Sequence, residues 1–464
     1  MYLFAIFWYC CLLSGGYFLT NFGNQVFENH NNFFEFIPLF WIRIFWVLGF
    51  YFLNEIIFTF LIYLETRKKI NLPKNENEQY DNLEKTVVVI PSHNTNLEQL
   101  EKNVENLIKL FPYRIWIAEN SNSDDGIREI QEICFRNGIE YVFYNEANKT
   151  NAILETVKLI KSKHGHIETI LLLDDDTTIP STFFLRHDLL KGDNIAGYCC
   201  NIKVEKNEQS YNFWENWIDF EYQTISFRNC ARNIHSLRFL HGIACVYKID
   251  ALIEIYKWNP CNIGGLPFGE DAFAGIQART IGYQLKQDYM NTVKTYCPDK
   301  FCNCLGDRSQ GYGASSLFKQ RALRWYLSWL RRMGNEIGLL FFYDTGSWIG
   351  NIMYRLDFIH YCILTIFYLS WIYWIVHLFY NPSSLFYFLI LHAGFFVVNI
   401  INNYIRVFSM NMLQETDISH KTICTFPIFL IALIYLYLSS FFVSIFYYIP
   451  FVRVDYKKCI QKIQ

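Results

Sequence analysis

Apolar residues along this chain fall into two regimes. Long unbroken blocks occupy residues 2–19, 37–64, 358–380, 384–404 and 425–450. Each is near or above the ~20 residues that cross a bilayer as a helix. Between residues 65 and 340 the blocks give way to short runs of strand length: TVVVI (86–90), RIWIA (114–118), EYVFY (140–144) and TILLL (169–173). Helix-compatible segments at 97–110, 126–137 and 149–163 separate them. Strands alternating with helices of this size predict right-handed β-α-β units and a mostly parallel sheet, an α/β fold. The pattern is that of membrane helices with one large globular insert.

Ligands of such sheets bind beyond the carboxyl ends of the strands. The polar clusters fall there: PSHN (91–94) after the first strand, ENSNSDDG (119–126) after the second and DDDTT (174–178) after the fourth. Pro91, which opens the first cluster, is therefore a candidate substrate-facing residue. No glycine-rich phosphate loop follows the first strand, so a bound diphosphate needs a divalent cation. Asp174 and Asp176 are two apart and point the same way on an extended backbone. Mg2+ or Mn2+ is held by one or two such carboxylates together with phosphate oxygens of the substrate. A solvated turn capped by aspartates, with Pro180 behind it, is the alternative account of the same residues.

Composition reinforces the membrane reading: hydrophobic residues are 52%, aromatics 19% and charged residues 18%. A formal charge of −2, with no dominant basic face, argues against a nucleic-acid partner. Residues 2–19 lack a basic leader and a small-residue cleavage site, so they are expected to stay as a membrane helix. The loop 20–36 has no Lys or Arg, whereas TRKK (66–69) follows the second block and places the insert in the cytosol. The basic tail VRVDYKKCIQK also prefers the cytosol, yet three clear blocks follow the insert, leaving three or four crossings open. Five regions result: N-terminal membrane helices (1–65), the globular domain (66–316), an amphipathic interface segment (317–356), C-terminal membrane helices (357–450) and the tail (451–464). The 14 cysteines are scattered and, in the cytosol, reduced. Cys297, Cys302 and Cys304 have no second C-x-x-C to complete a zinc site, and the Asn148-Lys149-Thr150 sequon stays unmodified in that compartment.

DDD (174–176), GED (269–271) and QRALRW (320–325), in that order, resemble the membrane-embedded family 2 glycosyltransferases, which include the hyaluronan, chitin and cellulose synthases. The similarity extends over about residues 85–335, and NFWENWIDFEYQ (212–223) and LHGIACVYKIDAL (240–252) look like segments those synthases carry between the two acidic motifs. The resemblance implies a cytosolic A-type glycosyltransferase domain, with a Rossmann-like mixed sheet, inserted between transmembrane helices. It implies that Asp174 and Asp176 hold the metal and UDP, and that Asp271, beside Glu270, is the base that deprotonates the acceptor hydroxyl. Glu119 stands where the family has an aspartate contacting the nucleoside. Arg324 and Trp325 match the final motif, arginine near the diphosphate and tryptophan under the acceptor sugar. The family's glutamine position holds Arg321, with Gln320 before it; an R-x-x-R-W form also resembles ceramide glucosyltransferases.

The chemistry of each residue type agrees. A departing diphosphate needs its charge neutralised by metal and arginine. Inversion by direct displacement needs one carboxylate base, and an indole face suits a sugar ring. Each piece also has a plainer account. GED can simply open a helix, Trp325 can anchor at the bilayer interface, His241 of LHG can be a packed histidine rather than an acceptor contact, and Lys149 can be a surface lysine rather than a donor contact. Arg43 and Glu55, inside the second apolar block, suit a polymer channel, although Glu55, near the end of the block, can also simply reach the interface.

The expected activity is inverting, metal-dependent transfer from a UDP-sugar to a growing β-linked polysaccharide, hyaluronan- or chitin-like, extruded through the bilayer, with the plasma membrane as the expected site. A lipid acceptor such as ceramide or a polyprenyl phosphate, and an inactive membrane scaffold of the same fold, are the alternatives.

Overall fold

The computed structural model describes residues 83–359 except 94, 112–113, 121–126, 146–147, 206–212, 260–268 and 297–335, together with the isolated positions 57, 60, 61, 64, 361 and 379. The apolar blocks at 2–19, 384–404 and 425–450 lie outside these residues, and those at 37–64 and 358–380 nearly so. Among the described residues no helix is long and apolar enough to cross a membrane.

The first half alternates as its pattern predicts. Strand β1 (Thr86–Ser92) leads to helix α1 (Leu97–Leu110), β2 (Ile115–Glu119) to α2 (Ile127–Asn137), and β3 (Glu140–Phe143) to α3 (Lys149–Lys163), followed by β4 (Thr169–Leu173). The helix starts are set by side-chain caps: Asn96 accepts from Gln99 N and Asn148 from Asn151 N, satisfying amide groups that the helix leaves open. Asn148 of the sequon is thus engaged in a cap.

A short β5 (Thr177–Thr178) and a 3-10 turn (His187–Leu190) precede β6 (Ile195–Val204). Then come the long α4 (Phe213–Arg232), β7 (Ala244–Lys248), α5 (Ile249–Lys257), α6 (Glu270–Thr280) and β8 (Gln284–Thr295). Helices over 336–342 and 348–359 follow.

The strands form one sheet in the order β3-β2-β1-β4-β7-β6-β8-β5. β3, β2, β1 and β4 are mutually parallel, β7 runs antiparallel to both β4 and β6, and β6 and β8 are parallel. The chain leaves β1 toward β2 and β3, then crosses back to lay β4 on the other side. The order reverses there, and a crevice opens beyond the carboxyl ends of β1 and β4.

Alternate residues of each strand enter opposite layers. Val88, Ile90, Ile115, Ile117, Leu171 and Leu173 pack against Leu100, Val104 and Leu107 of α1 and Ile130 and Ile133 of α2. Val87, Val89, Trp116, Ile170 and Leu172 face Ile153, Val157 and Ile160 of α3 and Leu252 and Ile255 of α5. Each such side chain contributes about 1.5–3 kcal/mol on burial. Cys134, Cys199, Cys200, Cys230 and Cys245 are buried; Cys297, Cys302 and Cys304 lie outside the described residues.

The 336–359 segment is tied to this body by buried polar contacts. Arg279 at the end of α6 donates from Nη2 to Glu336 (2.7 Å), from Nη1 to the Tyr354 hydroxyl (2.9 Å) and from Nε to the Gly275 carbonyl (3.1 Å). Arg228, Arg232 and Arg238 converge on Asp357. Phe342, Trp348, Ile349 and Ile352 of the same segment are exposed.

Candidate active site

The carboxyl edge of the sheet collects the candidate residues. β1 ends at Pro91 and Ser92, β2 at Glu119, and β4 at Leu173, just before the aspartates. Lys149 is the first residue of α3. Because β7 runs antiparallel to β4, with Leu173 opposite Ala244, the start of β7 reaches the same edge. Its preceding loop, Leu240–His241–Gly242, therefore lies beside the aspartates, and Asp174 N donates to the Ile243 carbonyl (3.0 Å).

The three aspartates do not continue the strand. Thr177 N donates back to the Asp174 carbonyl (3.1 Å), closing a turn before β5 pairs with β8. The extended backbone expected to carry Asp174 and Asp176 is thus replaced by a turn, which still keeps the two carboxyls close enough for Asp174 to raise Asp176. Asp174 is buried and takes Lys149 Nζ at 2.6 Å. Asp175 accepts from the Thr95 hydroxyl, and its carbonyl accepts from Asn103 Nδ2 (2.9 Å). Asp176 accepts from Thr177 (3.3 Å) and from Thr295 of β8 (3.2 Å). Burial, eased by the Thr95 bond and aggravated by Asp174, pushes the Asp175 carboxyl up to about 6. Burial, Asp174 and Asp175 together push Asp176 well above the usual carboxylate range.

The GED motif is a helix start. Gly269 has φ 87°, the left-handed region open to glycine, and caps α6, whose first residues are Glu270 and Asp271. Asp271 Oδ1 accepts from Ala272 N (2.7 Å), and the Glu270 carbonyl accepts from Asn259 Nδ2 (2.9 Å). Glycine is also required inside the helix. A Cβ on Gly275 would run into the Arg238 carbonyl oxygen and lie 2.6 Å from Phe239 Cα, so α6 rests directly on the chain leading into the LHG loop. Gly242 accordingly sits where a Cβ would be 3.8 Å from Asp271 Cβ, 3.9 Å from Glu270 Oε1 and 3.9 Å from Lys149 Nζ.

Lys149 joins the two halves. Its ammonium is 2.6 Å from Asp174 and 3.5 Å from Glu270 Oε1. The surface-lysine account of Lys149 gives way to a part-buried bridge. Pro91, Lys149, Glu270 and Asp271 line one small open cavity, with Gly242, Cys245, Tyr256 and the apolar Ile153, Leu172 and Leu240.

Glu119 is buried, and its Oε2 has no hydrogen-bond partner among the described residues. It is an acceptor at a strand's carboxyl end, suited to a ligand donor. His241 is buried one layer behind: Asn229 Nδ2 lies 3.2 Å from its Nε2, and burial with the Arg232 charge lowers it to about 4, so the imidazole is neutral. It does not line the cavity; Gly242 beside it does. Arg321, Arg324 and Trp325 lie outside the described residues.

Sequence reasoning missed Thr95, Asn103 and Thr295, which anchor the aspartate turn, and Gly242 and Tyr256 at the cavity. Thr95 directly follows the PSHN cluster, a usable signal; Thr295 arrives through the β5–β8 pairing, which local pattern does not reveal.

The donor set at the turn is carboxylate oxygen from Asp174 and Asp176, hard ligands that suit Mg2+ or Mn2+. Two carboxylates fit an ion that takes its other ligands from a diphosphate. Among the described residues no group of three or more His, Cys, Asp or Glu side chains forms a cage.

No curated protein matches the chain. Among solved structures, similarity is found to a crystal structure of GalNAc-T7 with UDP, GalNAc and Mn2+ (14% identity, TM-score 0.32), covering 46% of this chain and 43% of that one. It is also found to S. aureus TarS (12%, TM-score 0.31, 47% and 37%) and to a cytidylyltransferase from Leptospira borgpetersenii serovar Hardjo-bovis (13%, TM-score 0.28, 44% and 76%). The chain spans less than half the length of the GalNAc-T7 and TarS chains. The sequence pattern of the glycosyl transferase family group 2 matches residues 169–452, from β4 to the last apolar block and more than half of the chain. The protein belongs to that family and is a glycosyltransferase.

Proposed function

We propose that the protein transfers a sugar, with inversion, from a UDP-sugar to the end of a growing β-linked polysaccharide and passes the product through its own membrane helices. The observation that carries the donor reading is the Lys149 bridge. Its ammonium pairs with the diphosphate-side Asp174 and with Glu270, and Lys149, Glu270 and Asp271 line one cavity. Glu119, buried at the end of β2, would accept from the nucleoside. Asp174 and Asp176 would hold Mg2+ or Mn2+, which when bound neutralises the departing diphosphate.

Asp271 would accept the acceptor hydroxyl proton as that oxygen bonds the anomeric carbon. The bond from that carbon to UDP breaks on the opposite face, and UDP leaves with the electron pair. Glu270 fixes Lys149 rather than sharing the proton. Arg324 and Trp325, with Arg321, complete the site by their resemblance alone.

Two observations support a membrane-embedded synthase. The family match runs on through the apolar blocks to residue 452. Exposed Phe342, Trp348, Ile349 and Ile352, with Phe60 and Leu64 near the end of the 37–64 block, give the domain an apolar fringe that suits a bilayer surface. In this reading the domain faces the cytosol of the plasma membrane. The R-x-x-R-W form of the last motif favours, as a second reading, a lipid acceptor that receives one sugar.

The full chain in membranes, incubated with labelled UDP-sugars, separates the two. A ladder of products supports the synthase, whereas a single glycolipid overturns it. Asp271→Asn should abolish turnover yet keep UDP binding; undiminished incorporation by that variant would point to a protein that keeps the fold without the chemistry.

A further inference from the structure

The only cation the described structure sets on the aspartate turn is Lys149, and it stands on the carboxylate that the donor's metal ion needs. Its ammonium is 2.6 Å from Asp174 Oδ1 and 3.5 Å from Glu270 Oε1. The Lys149 and Asp174 side chains are largely shielded, at 28% and 6% exposure, so water screens the pair poorly. Gly242 closes the third side. A divalent ion would have to bind the same carboxylate beside a fixed positive charge, and the repulsion opposes it.

A diphosphate changes the balance. It brings its own negative charge, chelates the ion, and gives the ammonium another anion to pair with. The lysine can then leave Asp174 without being stranded in a part-buried site. We propose that Lys149 is an internal counter-cation that shuts out bare divalent ions and yields Asp174 only to an ion delivered with the nucleotide diphosphate. Donor and metal then bind as one unit, and the enzyme has no stable metal-only state. Glu270 has a matching role: it holds the ammonium at the site when Asp174 is released, so the lysine swings over a short distance. This rests on the reading of Asp174 and Asp176 as the residues that hold a metal–diphosphate.

Mn2+ binding, followed by electron paramagnetic resonance on the purified full chain in detergent, tests it without a turnover assay. Wild-type protein should bind bare Mn2+ at least about tenfold more weakly than Mn2+ supplied with UDP. Lys149→Met, which keeps the bulk and removes the charge, should bind bare Mn2+ at least about tenfold more tightly than wild type and lose most of the gain from UDP. Lys149→Arg keeps a cation and should exclude the bare ion as wild type does. Equal affinity of wild type for bare Mn2+ with and without UDP overturns the proposal with no variant needed, as does equal bare-ion affinity of wild type and a folded Lys149→Met. Failure of wild type to bind Mn2+ even with UDP overturns the metal–diphosphate reading itself. The two failures are therefore distinct.

Discussion

Glu336→Gln tests what holds α6, the helix of the candidate base Asp271, in place. Glu336 and Arg279 form an ion pair of 2.7 Å with side-chain exposures of 5% and 0%. Burial alone would lower the Arg279 pKa, but Tyr354 and Glu336 hold it above its ordinary value, so the guanidinium is charged in the interior. Arg279 keeps its bonds to the Tyr354 hydroxyl and the Gly275 carbonyl when Glu336 is neutralised, yet neither carries a charge to offset its own. Stranding one buried ion in this way costs about 3–5 kcal/mol. An exposed pair of the same length would cost about 0–1 kcal/mol. The assay is urea unfolding of the detergent-solubilised protein for wild type, Glu336→Gln, Arg279→Met and the double variant. Each single change should cost about 3 kcal/mol or more, and the double should cost clearly less than their sum, because it leaves no unpaired charge. Turnover should fall in Glu336→Gln with UDP affinity nearly kept, since α6 carries Asp271 whereas the aspartate turn belongs to β4. A single-variant cost below about 0.5 kcal/mol, or strict additivity, would refute the reasoning.

Further outcomes are expected. Gly275→Ala should cost about 1–3 kcal/mol by overpacking and lower turnover more than UDP binding, because the new methyl meets the Arg238 carbonyl and pushes α6 off the LHG loop; wild-type turnover would sink that geometry. His241 has a folded pKa of about 4, below its ordinary 6.5, so its contribution to stability is full above pH 6.5 and is lost as pH falls toward 4. His241→Asn should therefore flatten the fall in urea midpoint between pH 6.5 and 4.5; an unchanged slope assigns the acid sensitivity elsewhere, for instance to His235, which burial lowers to about 3. Chelation with EDTA should stop sugar transfer, and Mn2+ or Mg2+ should restore it, with Asp176→Asn needing more ion than wild type. Undiminished transfer under exhaustive chelation would remove the metal from the account.

Much of the parallel half was legible because its signals are local. TVVVI, RIWIA and TILLL are buried on both faces and read as unbroken apolar runs, and the intervening helices begin at Asn96 and Asn148 caps. The four predicted strands and three helices all occur, within a residue or two of their expected ends. Pairing partners were not legible. Nothing local in ACVYK says that β7 runs antiparallel to β4, and nothing in Thr177–Thr178 says that two residues suffice to pair with β8. That pairing bends the aspartates into a turn where spacing alone suggested a strand. The Lys149 bridge was not legible for a similar reason: its partners, Asp174 and Glu270, are distant in sequence, so a donor contact and a surface lysine both stayed open. The Arg279–Glu336 pair had no sequence signal, since its partners are 57 residues apart and nothing local to either marks the other.

The sheet's mixed direction explains how two kinds of chemistry meet at one edge. Parallel strands β1, β2 and β4 deliver their carboxyl ends, and so bring Pro91, Glu119 and the aspartates, the groups suited to a nucleotide diphosphate. A further parallel strand in place of β7 would have carried the LHG loop to the opposite edge. Because β7 is reversed, the loop arrives beside Asp174, and the Gly275 contact lays α6 against it, setting Asp271 across the cavity. The candidate donor side thus hangs on the parallel strands, and the candidate base on a helix that meets the LHG approach at Gly275, packs Ala274 and Ala278 into the core and is clamped behind by Arg279. Disturbing that clamp should slow the chemical step while leaving the nucleotide's grip intact, whereas disturbing β1, β2 or β4 should weaken both.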